Sequence, residues 1–148
     1  MTQDHRLLRL RIKDLDDVSV LSSMVQDSLM ALCDATYLAV DKSFVVILNR
    51  FCWEDVDDTN DGGQYNRTHT ALRFDNVKAV QMRNIDSKKQ DAIHNLLAVA
   101  YDDRSKTLAL HFAGGGAIRL SLSKLNGIIE DMGDVWPSYN KPGHVVGT

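Results

Sequence analysis

The chain has 148 residues, of which 44% are hydrophobic and 25% are charged, a balance typical of one globular domain and not of a disordered chain. Its formal net charge of −3 provides no general attraction to nucleic acid or to an anionic membrane, so we expect neither as a partner. Charged residues interrupt the apolar ones near the N-terminus, which argues against a signal peptide or membrane span and favours the cytoplasm.

The first elements predicted along the chain are a strand and a helix. Leu8, Leu10 and Ile12 alternate with basic residues over residues 7–13, which predicts a strand with one solvated face. Asp14 can then cap a helix. Apolar residues at spacings of three and four form a stripe that we expect to cover a sheet: Leu15, Val18, Leu21, Met24 and Val25.

From residue 29 to residue 122 the apolar residues recur almost entirely with a period of two, which predicts an antiparallel sheet. Asp75 and Asn76 fit either a corner in one long strand or a hairpin turn. The cluster Gly114 to Gly116 predicts a hairpin and not a phosphate loop, because a strand follows it and the Gly-Lys-Ser/Thr ending is missing. The first predicted strand segment spans residues 29–40, either as one strand or as two short strands broken near Asp34. The other predicted strands span residues 44–53, 68–74, 77–83, 93–101, 107–112 and 117–122.

The last predicted element is a helix that begins after Ser123. Its apolar residues fall at helical spacing, and Gly133 would end it: Leu125, Ile128, Ile129 and Met132. We predict a single globular domain over residues 1–135 and a C-terminal tail over 136–148, with Trp136 packed back on the domain.

These elements predict an α+β fold that is mostly antiparallel β. The first choice is a curved sheet or partly closed barrel with an N-terminal helix and a closing C-terminal helix, the layout of pleckstrin-homology-like domains. The alternative is a flatter two-layer antiparallel sheet that carries both helices on one face.

Four segments carry a resemblance to a known family. Residues 48–54 (LNRFCWE), 71–74 (ALRF), 77–81 (VKAVQ) and 112–120 (FAGGGAIRL) resemble the signature segments of an uncharacterised alphaproteobacterial family, a domain of unknown function. The resemblance covers nearly the whole chain. It implies a bacterial cytoplasmic protein and supplies no catalytic residue.

An acidic loop over residues 54–61 invites comparison with a calcium-binding loop. With Asp57 at the first loop position, Gly62 falls at the sixth, as such loops require. Thr68 then occupies the twelfth position, where a bidentate Glu is needed. We therefore expect a solvated loop and no metal.

The histidines and cysteines give no pattern of a preformed site. No HxxxH, HExxH or CxxC spacing relates the five histidines, which are His5, His69, His94, His111 and His144. Cys52, or secondly Cys33, can form a nucleophile pair with a histidine, but buried reduced thiols are the favoured interpretation. We predict no catalytic residue and no cofactor.

Several arginines lie inside predicted strands, where aliphatic residues are easier to place: Arg50, Arg73, Arg83 and Arg119. Arg73 and Arg119 alternate with apolar neighbours, so neighbouring strands could align them into a cationic strip that binds a carboxylate or phosphate. The alternative, which we favour, is cross-strand pairing with Glu54 or Asp75, or contact with solvent.

The predicted function is that of a non-enzymatic binding or scaffolding module, with Arg73, Arg119 and Trp136 as candidate binding residues. Its partner would be a protein or a small anionic ligand, and homodimerisation stays open. The alternative is a small hydrolase or metal-dependent enzyme that uses Cys52, the histidines and the acidic loop 54–61. A third hypothesis is a regulator of an adjacent enzyme that acts through homodimerisation.

Overall fold

The computed structural model describes residues 7–55 and 65–138. Its helix and strands follow in this order: β1 (Arg9–Ile12), α1 (Leu15–Val25), β2 (Ser28–Ala31), β3 (Ala35–Leu38), β4 (Ser43–Phe51), β5 (Tyr65–Phe74), β6 (Val77–Arg83), β7 (Ile93–Asp102), β8 (Thr107–Phe112), β9 (Ala117–Leu122) and β10 (Gly127–Ser138). Within these residues no helix has the length and apolar character needed to cross a membrane.

All ten strands belong to one antiparallel sheet. The strand order is β1-β10-β5-β4-β2-β7-β8-β9-β6, and β3 pairs with β4 beside this path. Among the described strands, β1 and β6 end the order without pairing with each other, so the sheet is not closed. The predicted mostly antiparallel architecture is confirmed, whereas the pleckstrin-homology-like layout is not.

Helix α1 covers one face of this sheet. The Asp14 side chain caps the helix by accepting a hydrogen bond of 2.8 Å from the backbone N–H of Asp17. Val18, Leu21 and Val25 on its inner side are buried and belong to the main apolar core. Each such side chain contributes roughly 1.5–3 kcal/mol when it leaves water. The helix is therefore held mainly by this packing.

The predicted C-terminal helix is wrong, because that part of the chain forms β10. Ile129 pairs with Leu72 of β5 on one side and with Leu10 of β1 on the other. The spacing of these apolar residues is compatible with a helix and also with a strand that pairs on both sides. Gly127 disfavours the helix. Both predicted folds, the partly closed barrel and the two-layer sheet, contain a second helix that the described residues do not form. Trp136, predicted to lie in a tail, belongs to β10 and pairs with β5.

The structure contains a corner and a hairpin at the two turns that the sequence predicts. The Asp75 and Asn76 pair forms a corner, since β5 and β6 do not pair with each other and Asn76 adopts φ = 59°. The glycine cluster joins β8 to β9 as a hairpin, in which Gly114 and Gly115 have φ values of 85° and 90°. These positive values favour glycine over residues with a Cβ.

Candidate functional site

The largest charged cluster in the described chain surrounds Arg50, whose side chain is completely buried. Its guanidinium makes two hydrogen bonds to the Glu54 carboxylate, at 2.9 and 2.8 Å, and one of 2.9 Å to Oδ2 of Asp131. The Thr70 hydroxyl donates to Asp131 at 2.7 Å, and the backbone N–H of Leu8 donates to the same carboxylate at 2.8 Å. The cluster therefore ties β4, β5 and β10 to the segment before β1.

Arg50 pairs with Glu54, as one of the two sequence interpretations predicts, and its burial adds Asp131 as a second partner. Burial disfavours its charge, yet the hydrogen bonds to both carboxylates outweigh this and raise the pKa of Arg50. With these donors and acceptors satisfied inside the protein, the cluster serves structure. The sequence contains a signal for the burial of Arg50. Every second residue of this strand faces the core, and Arg50 follows the buried Val46 and Leu48 in that series.

The Glu54 carboxylate makes stability depend on pH. Its burial opposes ionisation, but the hydrogen bonds and charge of Arg50 outweigh this and lower the pKa of Glu54. A lowered pKa contributes stability that is fully present above the unfolded pKa, about 4.3, and is lost as pH falls through the folded value. We expect the midpoint of urea unfolding to shift to lower urea concentrations when the pH is lowered below about 4. This shift should be smaller in Glu54→Gln than in wild type. Parallel curves for the two proteins would contradict this role.

The predicted cationic strip of Arg73 and Arg119 does not form, because their strands are not neighbours. Arg73 lies on β5 and Arg119 on β9, and four other strands separate these two in the sheet order. The Arg73 guanidinium donates to Asp75 at 2.9 Å and to the Ser43 hydroxyl at 3.0 Å. Arg73 is thus engaged within the chain, as the alternative interpretation predicts.

Arg119 lies in a different environment, on the outer face of β7, β8 and β9. Here Ala100, Ala109 and Arg119 stand opposite one another across three adjacent strands, and His111 stands opposite Ala117. Alanine is uncommon in strands. Three alanines on one face, with side chains that end at Cβ, leave a shallow depression between the longer side chains. Arg119 and His111 line a shallow recess of about 420 Å³ over this floor. We call this surface the alanine platform.

The alanine platform carries an arginine that has no acidic partner in the described chain, beside a histidine and one aspartate. Arg119 and His111 are exposed, and their side chains form no hydrogen bond or ion pair in residues 7–55 and 65–138. Register places Gln81 of β6 opposite Arg119, and Arg83 opposite Ala117. The acidic residue at the recess, Asp102, accepts a hydrogen bond of 3.0 Å from the N–H of Arg104 in its own turn. An incoming anion would therefore meet an unpaired arginine.

The third predicted binding residue, Trp136, contacts a histidine on the outer face of β5. The ring centroids of Trp136 and His69 are 4.8 Å apart, and Nδ1 of His69 lies 2.6 Å from Oδ2 of Asp134. This hydrogen bond lowers the pKa of Asp134. Trp136 lies on β10, so the structure does not bring it together with Arg119 at the alanine platform.

The cysteines differ from each other. Cys52 is completely buried, as predicted, whereas Cys33 is exposed in the short turn after β2, so its predicted burial is wrong. Of the two arrangements predicted over residues 29–40, the structure has the two short strands broken near Asp34, since β2 ends at Ala31 and β3 begins at Ala35. In the turn between them, the Cys33 N–H donates to the carbonyl of Gln90. Most of the acidic loop 54–61, together with His5 and His144, lies outside the described residues. In residues 7–55 and 65–138, no three His, Cys, Asp or Glu side chains group closely enough to hold a metal ion.

Within residues 7–55 and 65–138, fold and site together define an open antiparallel sheet with helix α1 packed on its inner face and the alanine platform, which carries Arg119, on its outer face. The chain belongs to the family described as Protein of unknown function (DUF2948), whose family model matches residues 8–144. No curated protein and no solved structure matches the chain.

Proposed function

We propose that this protein is a non-enzymatic binding module of the bacterial cytoplasm that recognises an acidic segment of a partner protein at the alanine platform. The observation that carries the proposal is the exposed and unpaired guanidinium of Arg119 beside His111, above a floor of alanines. A guanidinium can contact a carboxylate through two parallel hydrogen bonds, which are stronger and more specific than one neutral hydrogen bond.

The shape of the platform supports a protein partner. Ala100, which lines the recess, is exposed and its side chain ends at Cβ, so a partner backbone can approach the sheet closely there. The recess is open and lies beside β6, which ends the strand order and leaves one edge without a strand partner in the described chain. An extended segment with carboxylate side chains would find both a flat floor and basic neighbours.

The enzymatic alternative requires Cys52, a histidine and the acidic loop to act together. Cys52 is completely buried on the β4 side, whereas His111 faces the platform on β8. The platform therefore offers the better supported site.

The expected result of removing the guanidinium is weaker binding without loss of stability. We would titrate isotope-labelled protein with a synthetic hexaglutamate peptide at low salt and follow the amide signals by NMR. In wild type the shifts should cluster at Ala109, His111 and Ala117, and Arg119→Ala should raise the dissociation constant about tenfold, or roughly 1.4 kcal/mol. Its melting temperature should stay nearly unchanged, because Arg119 is exposed.

The matched control is Arg73→Ala, which removes the same side chain from a strand where Asp75 already binds it. The control should bind the peptide as wild type does. Equal losses in the two variants would mean that binding follows overall charge, and the platform would then not be the site.

A further inference from the structure

A second surface lies on the outer face of the sheet at β2, β4 and the start of β7. The proposed function does not use it. Leu29 and Ala31 of β2, with Ile47 of β4, are half-buried and form the apolar part of a recess of about 200 Å³, which Asn49 and His69 also line. Ile93 of β7 stands at its rim, opposite Ala31, and is 62% exposed. We call this surface the Ile93 recess.

The size of the Ile93 recess points to a protein partner. Pockets that hold small molecules usually measure about 300–1,000 Å³, so this recess fits one side chain better than a ligand. The apolar surface also continues across β4 and β5, where the half-buried Ile47 stands opposite Ala71. A partner can therefore anchor one apolar side chain in the recess and cover apolar surface around it.

Charged residues of both signs lie at the recess and in the turn beside it. Asp34 lines the recess, and the turn that precedes Ile93 carries Lys88 and Lys89 together with Asp86 and Asp91. The N–H of Cys33 donates to the carbonyl of Gln90 at 2.8 Å, which ties this turn to the segment that holds Asp34. None of the Asp34, Lys88 and Lys89 side chains forms an ion pair within the described part of the chain.

From this pattern we infer that the Ile93 recess is the interface of a symmetric homodimer. In a two-fold interface the same patch serves both copies, so residue i contacts j while j contacts i. An exposed Ile93 beside an apolar recess meets this condition, since a two-fold axis next to Ile93 places each copy's isoleucine in the other copy's recess. The same axis brings Asp34 of each copy toward Lys88 and Lys89 of the other.

Sedimentation velocity over a range of protein concentrations tests the inference. Wild type should sediment as a dimer, and Ile93→Glu should raise the dimer dissociation constant by at least about tenfold, because two buried carboxylates would face apolar surface. Val40→Glu is the matched control, since Val40 is 98% exposed in the turn before β4 and should leave the dimer intact. A monomeric wild type, or equal dimerisation of Ile93→Glu and wild type, would overturn the inference.

Charge exchange keeps the test decisive if Ile93→Glu fails to fold. Asp34→Lys alone should weaken the dimer through like-charge repulsion, and Lys88→Asp with Lys89→Asp should restore it in the combined variant. Failure of the combined variant to recover dimerisation would count against this pairing and overturn the inference. Arg119→Ala should dimerise as wild type does, so this result is independent of peptide binding at the alanine platform.

Discussion

Arg50→Ala should lower the free energy of unfolding by about 3–5 kcal/mol, the range typical when one partner of a buried ion pair is removed. The Arg50 side chain has no exposed area and forms ion pairs with both Glu54 and Asp131. Without it, the buried Asp131 carboxylate would keep the hydrogen bonds from Thr70 and the Leu8 N–H but lose the guanidinium that pairs with it. Urea unfolding followed by circular dichroism measures this change.

The matched control for this prediction is Arg73→Ala, which breaks a pair between the exposed side chains of Arg73 and Asp75. Exposed pairs contribute about 0–1 kcal/mol, so the control should remain near wild type. The melting temperature of Arg50→Ala should fall by roughly 10 °C, given about 2–4 °C for each kcal/mol in a domain of this size. Equal stabilities of the two variants would show that water already reaches Arg50.

Gly127→Ala should destabilise the protein by about 1–3 kcal/mol, as an overpacked core does. A Cβ on Gly127 would lie 2.7 Å from Cδ1 and 2.8 Å from Cε1 of Phe74, and 3.0 Å from the carbonyl oxygen of Arg73. Phe74 is completely buried, so its ring cannot move without disturbing the core. The expected observation is a lower urea midpoint with an unchanged slope.

Gly116→Ala is the control, because Gly116 has an ordinary extended backbone with φ = −72°. A Cβ there would lie 3.1 Å from Cγ1 of Ile85, the nearest atom, and this side chain can shift by a few tenths of an ångström. Both substitutions reduce the entropy of the unfolded chain by a similar amount, about 0.4–1 kcal/mol, so the difference between them isolates the clash. A loss as large in Gly116→Ala as in Gly127→Ala would refute the packing argument.

Local patterns in the sequence determined most of the strands and the helix. The alternation in residues 44–53 predicts a central strand, and β4 lies between β5 and β2 with most of its residues buried or half-buried. Asp14 predicts the start of α1 because a carboxylate there can accept a backbone N–H within the same turn. These features are readable because each depends on residues only a few positions apart.

The identity of the last element was decided only by tertiary structure. The apolar residues over 125–132 fit a helix, yet β10 pairs with β1 from the opposite end of the described chain and with β5. These two ladders satisfy backbone groups along both edges of the strand, whereas a helix would leave β1 and β5 without a neighbour on that side. A pairing between Leu8 and Asp131, 123 positions apart, leaves no local trace in the sequence.

The roles of the arginines divide in the same way. The sequence alone determined that Arg50, Arg73 and Arg119 lie on strands, because the alternation of their neighbours is local. Which of them is neutralised depends on the strand order: Asp131 reaches Arg50 because β10 lies beside β5, and Arg119 stays unpaired because its neighbours across β8 and β6 are Ala109 and Gln81. Electrostatic partners in a sheet are set by register between distant segments, and only the folded structure defines that register.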